Sequence, residues 1–232
     1  MNFDYERDTR RFYQNDTTAQ RYHEMFVSSN GWGNLPSRVV ARRERRVVEG
    51  LLAQVPHRTA LDMPAGTGKL AGIFAALGTQ VVASDISASM LKVAESEYVR
   101  IGYDRVSFQV ADAMDLGDFV GDGEFDVAVC LRLMHRVPPS LRKTMLGELA
   151  SVASHAIISF GIENGFHAMR RNLRAAVFGG LNDSLCFCSM AEAQAELDPM
   201  FEIVKHVWIA PALSQEVIFL LKPKLQSAGR AA

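Results

Sequence analysis

From Thr59 onward, short apolar runs alternate with stretches in which apolar residues recur every three or four positions. The short runs are Ala60-Leu61-Asp62-Met63, Val81-Val82-Ala83-Ser84-Asp85, Val106–Val110, Phe125–Leu131 and Ala156–Phe160, each the length of a strand. Between them the spacing predicts three helices. One covers Leu70 to Leu77 and is stopped by Gly78. A second runs from a Ser87 cap to about Arg100, and a third from Pro138-Pro139 to about Val152. The run Phe125–Leu131 is nearly continuous in apolar character, as a central parallel strand covered on both faces requires. Repeated strand–helix units of this kind predict one doubly wound, parallel sheet.

The two ends of the chain break the alternation. Residues 1–36 are polar and aromatic, with Tyr5, Phe12, Tyr13, Tyr22 and Phe26 among charges, and read as a flap or lid. Gly31 to Pro36 is a loop. A helix capped by Ser37 follows, with Val40, Val47, Val48, Leu51, Leu52 and Val55 on one face and Arg42, Arg43, Arg45 and Arg46 on the others. After Phe160 come a basic amphipathic helix over Phe166–Phe178, a loop over Leu181–Cys188 and a helix over Met190–Leu197. Phe201–Ile209 and Glu216–Leu221 read as a closing hairpin. The expected architecture is therefore α/β, a mostly parallel seven-stranded sheet with an antiparallel C-terminal hairpin. The main domain covers 37–222, with a helical insertion at about 163–190 and a frayed tail over 223–232.

A chain of 232 residues with 48% hydrophobic content suits one such domain. Its formal net charge of -1 supplies no global attraction to nucleic acid or to an anionic membrane, so no nucleic-acid partner is expected. The N-terminal residues are charged and contain no apolar leader, and the longest uncharged run, Leu149–Ile162, is too short to span a bilayer. A cytoplasmic location is the expectation. Three cysteines, Cys130, Cys186 and Cys188, without paired CxxC spacing argue against a disulfide framework or a structural metal.

The candidate chemistry lies at the ends of the predicted strands. Leu61-Asp62-Met63-Pro64-Ala65-Gly66-Thr67-Gly68-Lys69-Leu70 reads as strand, tight turn and helix start. Small residues there let the backbone approach a ligand. A phosphate loop fails, because Met63 stands at the first glycine position and Leu70 follows the lysine where a metal-binding hydroxyl belongs. The dinucleotide pattern fails too, since Gly66-Thr67-Gly68 is followed by Ala71. The second strand closes on Asp85, beside that turn in a parallel sheet, where a carboxylate can accept both hydroxyls of a ribose. Ala111-Asp112-Ala113 follows the third strand, within reach of an adenine amino group; a plain turn aspartate is the competing reading of Asp112.

Taken together, these residues resemble the class I S-adenosylmethionine-dependent methyltransferases, in particular the small-molecule branch that includes quinone methyltransferases. The resemblance covers Thr59 to Phe160 and the closing hairpin. It implies that Asp62, Pro64, Ala65, Gly66 and Gly68 form the cofactor loop. It further implies that Asp85 takes the ribose and Asp112 the adenine, that Ile86, Ala113 and Leu131 also bind the cofactor, and that Tyr22 closes over it from the flap. Pro64 departs from the glycine many members carry: it keeps a carbonyl and loses an N–H. The stretch Phe125–Pro138 matches the strand and loop lining the transfer site, which makes His135 the candidate base. Arg170, Arg174 and His167 fall where this family elaborates its acceptor pocket.

The resemblance implies S-adenosylmethionine as cofactor and a small-molecule acceptor; a histidine at the place of His135 has a use with an oxygen acceptor, which is therefore preferred to carbon. A quinone- or phenol-type or lipid-linked carbon acceptor is the alternative, and a cofactor-binding module without catalysis is the rival from another class. The Arg170 helix leaves contact with a lipid surface open, and a solvated face is its plainer reading. Oligomeric state is not specified. No Asn/Asp-Pro-Pro-Tyr/Phe signature follows the fourth strand, where Leu131-Arg132-Leu133-Met134 stands instead; this argues against amino methylation of adenine or glutamine.

Overall fold

The structure, a computed structural model, describes residues 35–121, 123–163, 165, 169 and 186–224. The flap with Tyr22, and His167, Arg170 and Arg174 of the insertion, lie outside the described residues.

The described elements are α1 (Leu35–Leu52), β1 (Thr59–Asp62), α2 (Ala71–Leu77), β2 (Gln80–Asp85), α3 (Ala88–Arg100), β3 (Val106–Val110), β4 (Val127–Cys130), α4 (Pro139–Val152), β5 (Ala156–Gly161), α5 (Met190–Leu197), β6 (Phe201–Trp208) and β7 (Glu216–Pro223). The sheet has seven strands in the order β3-β2-β1-β4-β5-β7-β6. The first five run parallel, and β7 inserts antiparallel between β5 and β6. The order reverses between β1 and β4, and in such sheets ligands bind beyond the carboxyl ends of the strands at that point.

The strand period of two divides the core between the two faces. Ala60, Val127, Val129, Ile157, Ile218 and Leu220 pack with Leu51 and Leu52 of α1 and Phe74 of α2 on one face. Leu61, Ala128, Cys130, Ile158, Val217 and Phe219 pack with Met145, Leu146 and Leu149 of α4 on the other. Each fully buried Leu or Phe of this kind contributes roughly 1.5–3 kcal/mol.

Most boundaries follow the local chemistry. Ser87 accepts from Met90 N as the cap of α3, and Gly78, at φ 67°, closes α2 in the left-handed conformation that glycine adopts without strain. Four expectations need correcting. Helix α1 begins at Leu35, ahead of the expected Ser37 cap, and α2 begins at Ala71. Strand β4 is shorter than its apolar run because Phe125 makes only an isolated bridge to Ala153. Strand β7 continues to Pro223 because its pairing with β6 holds it to that point. Within the expected 181–188 loop, Cys188 forms a parallel bridge to Ile162, fastening this segment beside the end of β5.

Candidate functional site

The turn after β1 is pinned from both sides. Met63 N donates to Val129 O of β4 at 2.9 Å, and Ala65 N donates to Ser84 O of β2 at 2.8 Å. The Met63–Pro64 peptide is cis. The chain then reverses through Gly66 at φ 55° and Gly68 at φ 74°. At Gly68 a side chain has no room: a Cβ would lie 3.1 Å from the Cα of Ala94 on α3. The glycines therefore let the turn settle onto α3 while its outer edge stays at the carboxyl end of the sheet.

Asp85 closes β2 beside this turn and is buried. Its two carboxylate oxygens accept from Gly66 N and from Ser87 N, both at 2.9 Å. Burial pushes its pKa up from 3.8 to about 6, against the opposing pull of the backbone N–H groups of Ser87, Gly66 and Ile86. Asp62, at the end of β1, is buried, and its Oδ2 has no hydrogen-bond partner. Its carboxyl stands well above the ordinary range, first through burial and second through the negative charge of Asp85. Two acids thus converge at the ends of neighbouring strands, one knitted to the turn and the other left with an unmet oxygen. A buried polar atom of that kind calls for a donor from a ligand.

The structure brings Asp62, Pro64, Ala65, Gly66, Gly68, Asp85 and Ile86 together here. Asp112 and Ala113 join them through β3, since Ala111 N donates to Asp85 O at 3.1 Å. Asp112 Oδ1 also accepts from Met114 N at 3.0 Å, so it shapes its own turn whatever else it binds. Leu131 follows β4, half-buried against the α1-side core.

His135 sits in a short 3-10 turn, Met134–Arg136, after β4. Its ring is near-parallel to that of Phe187, with centroids 6.2 Å apart and an interplanar angle of 10°. Its Nδ1 is buried without a partner. Burial, then the charges of Arg136, Arg132 and Arg142, depress its pKa to about 3, so the imidazole is neutral at physiological pH.

Arg132, one residue past Leu131, has φ 60°, a strained value for a residue with a side chain. The strain is held by neighbours. Arg132 N donates to Ser159 Oγ at 2.7 Å, its guanidinium pairs with Glu44 of α1, and its Nε lies 3.8 Å from Glu216 Oε2 of β7. Both glutamates are buried. Glu216 is pushed up to about 7 by burial and by the charge of Glu44, against the pull of Arg132.

Three features escaped the sequence reading: Phe187 against His135, the Arg132 cluster, and a buried Arg142 on α4. A signal existed for Arg142 alone, because it is in register with Met145, Leu146 and Leu149 on the apolar face of α4. The other two join segments far apart in the chain. Among the described residues there is no cluster of three or more His, Cys, Asp or Glu suited to a metal, and no helix long and apolar enough to cross a membrane.

A family described as a methyltransferase domain matches residues 60–155, the span from β1 to the start of β5. A demethylmenaquinone methyltransferase of Clavibacter sepedonicus is 40% identical over 89 residues. That stretch is 38% of this chain and 35% of the relative, so the match spans about a third of the relative's length. Among solved structures, magnesium protoporphyrin IX methyltransferase from Synechocystis PCC 6803 with bound SAH superposes with a TM-score of 0.78 at 20% identity, covering 93% of this chain and 98% of that one. N-methyltransferase NodS from Bradyrhizobium japonicum WM9, in complex with S-adenosyl-l-homocysteine, gives 0.61 at 11% identity, covering 88% and 97%. The domain match, the strand order and the acids at the ends of β1 and β2 agree. Residues 60–155 match a methyltransferase domain, and the described fold is that of solved methyltransferases that bind S-adenosylmethionine or its homocysteine product.

Proposed function

We propose that this chain binds S-adenosylmethionine across the ends of β1, β2 and β4 and transfers its methyl group to an oxygen of a small, neutral, hydroxyl-bearing acceptor. One observation carries the reading. The Asp85 carboxylate spans Gly66 N and Ser87 N, while the buried Asp62 Oδ2 on the adjacent strand lacks a partner. This arrangement supports Asp85 as the acceptor of the ribose hydroxyls and Asp62 as the partner of a cationic donor such as the cofactor's ammonium.

The cofactor supplies a methyl group already activated on a sulfonium, so the chain's own task is alignment and exclusion of water. Gly66 and Gly68 let the backbone come close. Leu131 and the buried turn around His135 keep the reacting region apolar. His135, neutral and with a free Nδ1, accepts a hydrogen bond from the acceptor hydroxyl and points an oxygen lone pair along the transfer line. So depressed a pKa makes it a weak base, and orientation is its larger contribution.

A second reading, methylation of a quinol ring carbon, is favoured by the 40% identity with the demethylmenaquinone methyltransferase over 89 residues. The deciding experiment incubates the purified chain with methyl-labelled S-adenosylmethionine and a panel of phenols, catechols and naphthoquinols, with the product identified by mass and NMR. A labelled O-methyl ether supports the first reading and a ring methyl supports the second. Binding of the cofactor without product from any member of the panel counts against both and favours a cofactor-binding module.

A further inference from the structure

Helix α4 turns a guanidinium into the protein rather than out of it. The Arg142 side chain is 2% exposed, among the most buried in the molecule. Its Nε and Nη2 bond both carboxylate oxygens of Glu196 on α5, at 2.7 and 2.6 Å. Burial opposes the charge, and the hydrogen bonds and charge of Glu196 hold it in place. A buried pair of this type is a poor source of net stability, since apolar residues of equal volume often serve as well or better. Its donors have a more specific use.

The remaining nitrogen, Nη1, donates to three backbone carbonyls: Met134 O at 3.2 Å, Val137 O at 3.4 Å and Cys186 O at 2.9 Å. Met134 opens the turn that carries His135, Val137 follows that turn, and Cys186 precedes Phe187. Cys186 N also donates to His135 O at 2.7 Å. Gly161 lies beneath the pair with no slack: a Cβ there would be 2.6 Å from Phe187 Cδ1 and 2.8 Å from His135 Cβ. One planar fork thus ties together the turn after β4, the segment that bridges to Ile162, and α5.

We propose that Arg142 is a positioning residue that clamps His135 and Phe187 into a single rigid wall on the acceptor side of the site. This rests on the reading of His135 as acceptor-facing. It assigns α5, which has no other part in that reading, the role of anchoring the clamp through Glu196. A lysine cannot reproduce it, because a point cation lacks the planar set of donors that reaches a carboxylate and the carbonyls together.

The test uses the full chain with Arg142→Met, Arg142→Lys and Glu196→Gln. It records the His135 imidazole nitrogen resonances, the ring contacts between His135 and Phe187 by NMR, and the affinity for S-adenosylhomocysteine by calorimetry. In Arg142→Met the ring contacts should vanish and the His135 midpoint should rise from about 3 toward 6.5. Affinity for S-adenosylhomocysteine should stay unchanged. Arg142→Lys should lose the ring contacts likewise, and it decides the matter if the Met variant does not fold. Glu196→Gln should weaken the contacts part-way. A folded Arg142→Met or Arg142→Lys with His135 resonances and ring contacts as in the wild type overturns the proposal. So does a loss of ring contacts matched by an equal loss of S-adenosylhomocysteine affinity, which would make Arg142 a general scaffold residue. If the wild type itself fails to bind S-adenosylhomocysteine, the functional reading falls, and the NMR comparison still judges the clamp.

Discussion

Asp85→Asn is the most informative single substitution, because its effects on binding and on stability separate. In the wild type the carboxylate accepts from Gly66 N and Ser87 N, both at 2.9 Å. Asparagine keeps the shape and offers one oxygen, so its NH2 group faces one of those N–H donors. Leaving that donor unmet costs about 1–3 kcal/mol. The change also removes a buried negative charge. A pKa raised from 3.8 to about 6 means that burial disfavours the ionised form by ~3 kcal/mol at pH 7. The two terms are similar in size and opposite in sign, so folding stability should change little. Binding has no such compensation. Charge-assisted hydrogen bonds to the ribose hydroxyls are worth about 1.5–3 kcal/mol, so the Kd for S-adenosylhomocysteine should rise roughly 10–150-fold.

The pH dependence adds a second signature. A carboxyl whose folded pKa is raised favours the folded state at low pH and loses that contribution as pH rises from 3.8 through about 6. The ligand, in contrast, needs the carboxylate. Wild-type affinity should therefore weaken as pH falls through about 6, and Asp85→Asn should lose that limb. Calorimetric titration between pH 5 and 8, with urea unfolding at pH 7, measures all of this. A folded Asp85→Asn protein with wild-type affinity, or wild-type affinity equal at pH 5 and pH 8, refutes the assignment.

Three further outcomes are expected. Gly68→Ala combines a φ of 74° with a Cβ 3.1 Å from Ala94 Cα, so denaturant unfolding should show a loss of about 2–4 kcal/mol, and an unchanged midpoint would contradict the fit of the turn against α3. His135→Ala should lower kcat by about 10²-fold at most with cofactor affinity intact, and the wild-type profile should show no histidine limb between pH 5 and 8, its pKa being about 3; a limb near 6.5 in kcat that His135→Ala abolishes would restore it as a base. Glu216 has a raised folded pKa, so its contribution to stability is present below about 4.5 and lost as pH rises through about 7; thermal melts should fall across that range, and Glu216→Gln should flatten them.

The parallel sheet was legible because its signals are local. Each strand is a short apolar run, Gly78 and Ser87 mark helix boundaries within one turn, and Asp85 announces itself by ending a strand. The glycine turn could be read by elimination, since each rival ligand demands a residue type that is missing. What stayed hidden depends on contacts between distant segments. Phe187 looked like loop because nothing near it in the chain says that Cys188 bridges Ile162. The depressed basicity of His135 comes first from burial, which residue type does not reveal, with the nearby charges of Arg136, Arg132 and Arg142 adding to it. Arg132 needed its left-handed backbone, Ser159, Glu44 and Glu216 to be understood, and these come from four different elements or loops.

The central claim is that the turn after β1 and the acid closing β2 together hold the adenosyl cofactor. A crystal structure of the chain grown with S-adenosylhomocysteine tests it most directly. The ribose hydroxyls should lie within hydrogen-bond distance of both Asp85 oxygens, the amino group beside Asp62 Oδ2, and the sulfur at the end of β4. Ligand bound elsewhere, or a site at β1 and β2 that stays empty at saturating concentration, would contradict the account.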